Sequence, residues 1–131
     1  MNQTSETKNC AAGEARRAVL QAELERIMRV LAEQYDPESI ILYGSFAHGD
    51  IHEWSDLDLC VIKRTEKPLF ERLEEVALLV LPHVGCDIIV YTPEEFMAAK
   101  QRRHYWIVDE ILDKGRVLYQ KENGYAGEAR M

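Results

Sequence analysis

Apolar residues recur at Leu20, Leu24, Ile27, Leu31 and Tyr35, in steps of four, three, four and four. This spacing predicts one helical face over residues 13–35, with Glu23, Glu25, Arg26, Arg29 and Glu33 mostly off it. Asp36-Pro37 ends the helix, because the residue before a proline disfavours the α region. Ser39 to Tyr43 is a short apolar run that stops at Gly44-Ser45, which predicts a buried strand. Leu57 to Ile62 predicts a second strand, in which Asp58 and Cys60 point one way and Leu57, Leu59 and Val61 the other. A helix capped by Thr65 follows, with Pro68 in its first turn and an inner stripe of Leu69, Leu73, Val76 and Val80.

Gly85 to Tyr91 predicts a third strand. Thr92-Pro-Glu-Glu95 is a capping box with proline at the first helical position, so a helix starts there. A further helical stretch is expected over 105–113, packing through Trp106, Val108, Ile111 and Leu112. Lys114-Gly115 ends it, and Arg116 to Tyr119 is expected as an edge strand. Residues 1–12 and 121–131 are polar, and we expect a flexible leader and tail around a single domain spanning 1–131. The fold class that emerges is α/β, with helices packed on a small mixed sheet.

Composition narrows the picture. The chain has 131 residues, 47% hydrophobic and 30% charged, which suits one ordinary globular domain. No apolar run approaches the ~20 residues of a membrane span, and no signal-peptide core is present near Met1, so a soluble, cytoplasmic protein is expected. The net charge of −7 and the lack of a basic stripe argue against a grip on long nucleic acid. Three cysteines, Cys10, Cys60 and Cys86, without a C-x-x-C pair, suggest neither a disulfide framework nor a zinc site.

The chemistry concentrates between Gly44 and Asp58. Gly44-Ser45 follows a strand, where glycine lets backbone amides approach a ligand and the serine hydroxyl adds a donor for phosphate. Asp56 and Asp58 stand two apart, about 6.6 Å along an extended chain, so their carboxylates leave one face. Hard Mg2+ takes oxygen ligands, commonly one or two carboxylates plus substrate phosphates. Asp87, set in an apolar strand, is costly to bury unless paired or metal-bound. It offers a third carboxylate, with a role in binding a second metal and in deprotonating an incoming hydroxyl. Ser55 is expected to orient the acidic strand by hydrogen bonding.

Gly44-Ser45, ten residues, and then Asp56-Leu57-Asp58 resembles the signature of the polymerase-β-like nucleotidyltransferase superfamily, and Asp87 falls where that fold places its third carboxylate. The resemblance runs from about Leu20 to Tyr119. The short length is similar to the minimal nucleotidyltransferases, many of which are paired with a small helical HEPN ribonuclease toxin. The resemblance implies two Mg2+ ions, ATP as substrate, and AMP transfer to a hydroxyl, such as a tyrosine of that toxin, with release of pyrophosphate. The oligomeric state is left open by the sequence, a homo- or hetero-oligomer being compatible with it. One departure stands out: His48 occupies the place where family members often carry arginine. Arginine stays charged and forks onto phosphate, whereas histidine titrates near neutrality. Phosphate binding is then weaker, or is borrowed from Lys63, Arg102, Arg103 or a partner. The competing expectations are a non-catalytic antitoxin that covers its toxin, and an adenylyltransferase acting on a small molecule.

Overall fold

The structure is a computed structural model that describes residues 2–49, 51, 55–102, 110–112, 114–121 and 124–125. Along the chain run α1 (Asn2–Gln34), β1 (Ser39–Tyr43), α2 (Ser45–His48), β2 (Leu57–Ile62), α3 (Leu69–Val80), β3 (Cys86–Tyr91), α4 (Pro93–Arg102), β4 (Arg116–Gln120) and the two-residue β5 (Gly124–Tyr125). The strands form one sheet in the order β3-β2-β1-β4-β5. β2 and β3 are parallel and the other pairs antiparallel, so the sheet is mixed as expected. The parallel pair requires a crossover, and α3 supplies it.

The period-two pattern of the strands sorts the side chains onto two faces. Ile40, Leu42, Leu57, Leu59, Val61 and Val90 join Leu20, Leu24, Ile27 and Leu31 of α1 and Val76 and Val80 of α3 in the main core. Burying each such side chain contributes roughly 1.5–3 kcal/mol, which is what holds the two helices to this face. Ile41, Tyr43, Cys60 and Ile62 line the other face, with Ile111, Ile89, Tyr91 and Phe96 against them. Asp58 shares its parity with Cys60 and Ile62, so it belongs to this second face.

Several expectations hold in detail. The predicted stripe of α1 is buried from Leu20 to Tyr35, and Asp36 closes the helix with a positive φ of 54°. The capping box is reciprocal: Glu95 N donates to Thr92 Oγ1 at 3.1 Å, and Thr92 N donates to Glu95 Oε1 at 3.0 Å. Gly115 N donates to Ile111 O at 3.0 Å where that helix was expected to stop.

Other expectations need correction. α1 begins at Asn2, so helix extends through the residues read as a polar leader; once nucleated, a helix adds one bond per residue. α3 starts at Leu69, with Pro68 extended before it. Thr65 instead accepts a hydrogen bond from Lys67 N at 3.1 Å in a local turn. Proline disfavours the α region at Lys67, which delays the helix. The inner face of α3 is Arg72, Val76 and Val80, while Leu69 and Leu73 are exposed. Arg72 takes the buried row because its fork is filled by Lys67 O, Val90 O and the Glu95 carboxylate. β4 lies inside the sheet, paired with both β1 and β5, so the tail supplies the edge. Trp106 and Val108 lie outside the described residues.

Candidate active site

Asp58 and Asp87 are direct register partners across the parallel β2–β3 ladder. Neighbours in a parallel register leave the same face, so the two carboxylates stand side by side at the start of both strands. Asp56 lies one residue before β2, where Leu57 N donates to Gly85 O at 3.0 Å and fixes the entry of the strand.

Two glycines make the room. Gly44 ends β1 with φ 82°, a conformation that side chains rarely tolerate. A Cβ at Gly44 would collide with the Asp58 carboxylate, meeting its Cγ at 3.0 Å. A Cβ at Gly85 would likewise collide with the Asp56 carboxylate, at 2.7 Å from Cγ. Tyr43 pairs with Asp58 across the β1–β2 ladder, which brings Gly44-Ser45 beside the acidic pair. Ser45 then opens the short α2, where Ala47 N donates to Gly44 O at 3.1 Å.

The electrostatics follow from this crowding. Burial, and then the charges of Asp87, Asp56 and Glu110, push the Asp58 carboxyl up to about 6 from its ordinary 3.8. Burial first, and then the charges of Asp58, Asp87, Glu23 and Asp56, hold the Cys86 thiol up at about 12. The Tyr43 hydroxyl is raised for the same reasons, with burial first and Asp58 next. This is a corner with surplus negative charge. A bound cation inverts that logic, since it favours the ionised carboxylates that repel one another without it. Among the described residues, no three Asp, Glu, His or Cys side chains are grouped so that they could together hold a metal ion. An open pair of carboxylates suits Mg2+, which keeps positions for water and phosphate oxygens. The donor set therefore fits the ion.

Ser55 is buried, and its carbonyl accepts from Arg16 Nε at 2.9 Å. Arg16 Nη2 stands 3.7 Å from Asp56 Oδ1. Glu110, by its effect on Asp58, is a further acid near the corner. Gly85, Arg16 and Glu110 escaped the sequence reading, because each reaches the site through the fold rather than through spacing along the chain.

The other expected phosphate partners fare differently. Lys63 follows β2 at the end opposite Asp58, where its Nζ lies 4.7 Å from the centre of the Tyr35 ring and bonds the Tyr35 and Asp36 carbonyls. It is a clamp on the end of α1, and is too far along the strand to touch phosphate at Asp58. Arg102 ends α4 with its side chain exposed. His48 closes α2, but its side chain lies outside the described residues, as does Arg103. A groove runs between α1 and β4, lined by Leu24, Met28, Arg29, Arg116 and Leu118. It opens on the face away from the carboxylates, and the acidic corner is the better candidate on chemistry.

The family model for polymerase beta nucleotidyltransferase matches residues 25–124. The chain belongs to that family, the one its glycine-serine and aspartate spacing resembles. Its fold is similar to that of a candidate nucleotidyltransferase from Sulfolobus solfataricus, with a TM-score of 0.61 and 19% identity, covering 87% of this chain and 92% of that one. Two toxin–antitoxin structures are also similar. One, with AMP-PNP, has a TM-score of 0.48 and 17% identity over 81% of this chain and 77% of that one. The other, a mutant of the toxin–antitoxin MntA-HpeT, has a TM-score of 0.49 and 18% identity over 81% and 76%. No curated protein matches the chain. Among the described residues, no helix is long and apolar enough to cross a membrane.

Proposed function

We propose that this nucleotidyltransferase moves AMP from ATP to a hydroxyl acceptor, with Mg2+ at Asp56, Asp58 and Asp87. The observation that carries the reading is the meeting of Gly44, Asp58 and Asp87 at one point of the sheet. Bound there, Mg2+ supplies charge neutralisation for the triphosphate and lowers the pKa of a hydroxyl it binds. The chain's own residues do the rest. Amides and the hydroxyl of Gly44-Ser45 hold phosphate oxygens, and Asp56 and Asp58 fix the approach. The acceptor oxygen attacks the α-phosphorus in line, and its proton passes to the Asp87 carboxylate. The bond from the α-phosphorus to the bridging oxygen breaks, and pyrophosphate leaves with the bonding pair. Positioning and charge supply most of such catalysis.

For the acceptor we propose a tyrosine of a small helical HEPN-type partner, in an antitoxin role. This part rests on the resemblance to minimal nucleotidyltransferases. The test is transfer of label from α-labelled ATP with Mg2+, in the presence of a small helical HEPN-type protein that forms a complex with this chain. Expected is a labelled partner with the label mapped to tyrosine, absent with Asp58→Asn. A stable complex that never takes label from any nucleoside triphosphate would overturn the catalytic reading in favour of a covering module.

A further inference from the structure

α1 packs on the sheet face away from Asp58, yet one of its side chains reaches the acidic corner. Arg16 Nε donates to the Ser55 carbonyl at 2.9 Å, which parks the guanidinium beside the entry of β2. Its Nη2 stands 3.7 Å from Asp56 Oδ1, too long for a hydrogen bond. Among the described residues neither terminal nitrogen donates a hydrogen bond, and the side chain remains 23% exposed. Arginine carries five donors in a fixed fork, so the tether through Nε leaves the bidentate end unused.

A plain tether between α1 and residue 55 would need one donor and no fork. The guanidinium is placed instead where an anion on the far side of a cation would arrive. A divalent ion held by Asp56 completes its shell with phosphate oxygens. A phosphate held there would come within a few ångströms of the Asp56 carboxylate, and so within reach of the guanidinium that stands 3.7 Å from it. Arg16 would meanwhile act as a counter-cation for Asp56, which the divalent ion displaces.

We propose that Arg16 is a phosphate-binding residue of this site, its fork turning from Asp56 to the β- or γ-phosphate of a metal-bound nucleoside triphosphate while Nε keeps its hold on Ser55. This rests on the reading of the corner as a metal–triphosphate centre. Planar bidentate donors match phosphate better than an ammonium does, so lysine is a partial substitute.

The test compares wild type with Arg16→Gln and Arg16→Lys. Affinities are measured by calorimetry for Mn2+ alone, for a non-hydrolysable ATP analogue with Mg2+, and for AMP with Mg2+, beside the metal-free melting temperature. Expected is a loss of about tenfold or more in ATP-analogue affinity for Arg16→Gln, as for a lost charged hydrogen bond. AMP binding should be unchanged, Mn2+ held as well or better, and the lysine variant intermediate. Equal ATP-analogue affinity in wild type and Arg16→Gln overturns the proposal. So does a parallel loss for AMP, Mn2+ and melting temperature, which would mark a structural tether. A wild type that binds neither Mn2+ nor the ATP analogue would refute the metal–triphosphate reading itself, and this inference with it.

Discussion

Asp58 on β2 and Asp87 on β3 are register neighbours in a parallel ladder, so two like charges share one corner of the sheet. The Asp58 carboxyl is held up at about 6 by burial and by Asp87 and Asp56. The folded state therefore keeps a proton that the unfolded chain loses near the ordinary 3.8. Its charge costs stability once the pH rises through that window. Metal-free protein should lose melting temperature between about pH 4 and pH 6 and stay at the lower value above it. Asp58→Asn should remove this slope and gain about 1–2 kcal/mol at pH 7.5, measured by urea unfolding.

Magnesium should reverse the same cost. A ligand at a hundred times its Kd stabilises the native state by about 2.7 kcal/mol, provided it does not bind the unfolded chain. The rise in melting temperature with Mg2+ should be larger at pH 7.5 than at pH 5, where Asp58 is mostly protonated. In Asp58→Asn the rise should vanish and nucleotidyl transfer should fall by at least about a hundredfold. An undiminished Mg2+ shift in that variant would remove Asp58 from the metal site.

The two glycines predict different failures. Gly44→Ala meets both a positive φ and the Asp58 carboxylate, so it should cost about 2–4 kcal/mol and abolish transfer. Gly85 lacks that backbone constraint, and alanine there meets only the Asp56 carboxylate. Its stability cost should stay within about 1 kcal/mol, while Asp56 is pushed aside and Mn2+ affinity falls. Calorimetry of both variants, with melting curves, separates the two effects.

Glu23 predicts the acid limb. Its buried carboxylate accepts from Arg26 Nε at 2.9 Å and Arg26 Nη2 at 2.8 Å, and from His83 N at 2.6 Å. The Arg26 bonds chiefly, against the cost of burial, hold it down at about 2. That stabilisation is complete above the ordinary 4.5 and is lost as pH falls toward 2. Glu23→Gln should cost about 2 kcal/mol at pH 7 and flatten the loss of stability between those values.

What the sequence made legible was local. The parity that sends Asp58 and Cys60 to one face, the α1 stripe and the Thr92–Glu95 box each follow from spacing within one element. The contacts that finish the site do not. Arg16 meets Ser55 thirty-nine residues away, and Gly85 is required by Asp56 across the crossover. Glu23 reads as lying mostly off the apolar stripe of α1, yet it is buried beneath the turn after α3. In α3 the apolar count favoured Leu69 and Leu73, but the bonds open to Arg72 rotated the helix to a different row. Such choices are made between elements, where a single polar side chain with every donor filled outweighs one more leucine.

The strand order also sets a timetable. The acidic corner is assembled from β1, β2 and β3, which lie close together in sequence, whereas β4 pairs with β1 from about eighty residues downstream. Closing so long a loop is the slow kind of contact. A refolding chain can therefore bring Gly44, Asp58 and Asp87 together before its sheet is finished. β4 locks the far edge of β1 through the pairing of longest sequence separation, so its docking, rather than assembly of the acidic corner, is expected to be the slow contact in refolding.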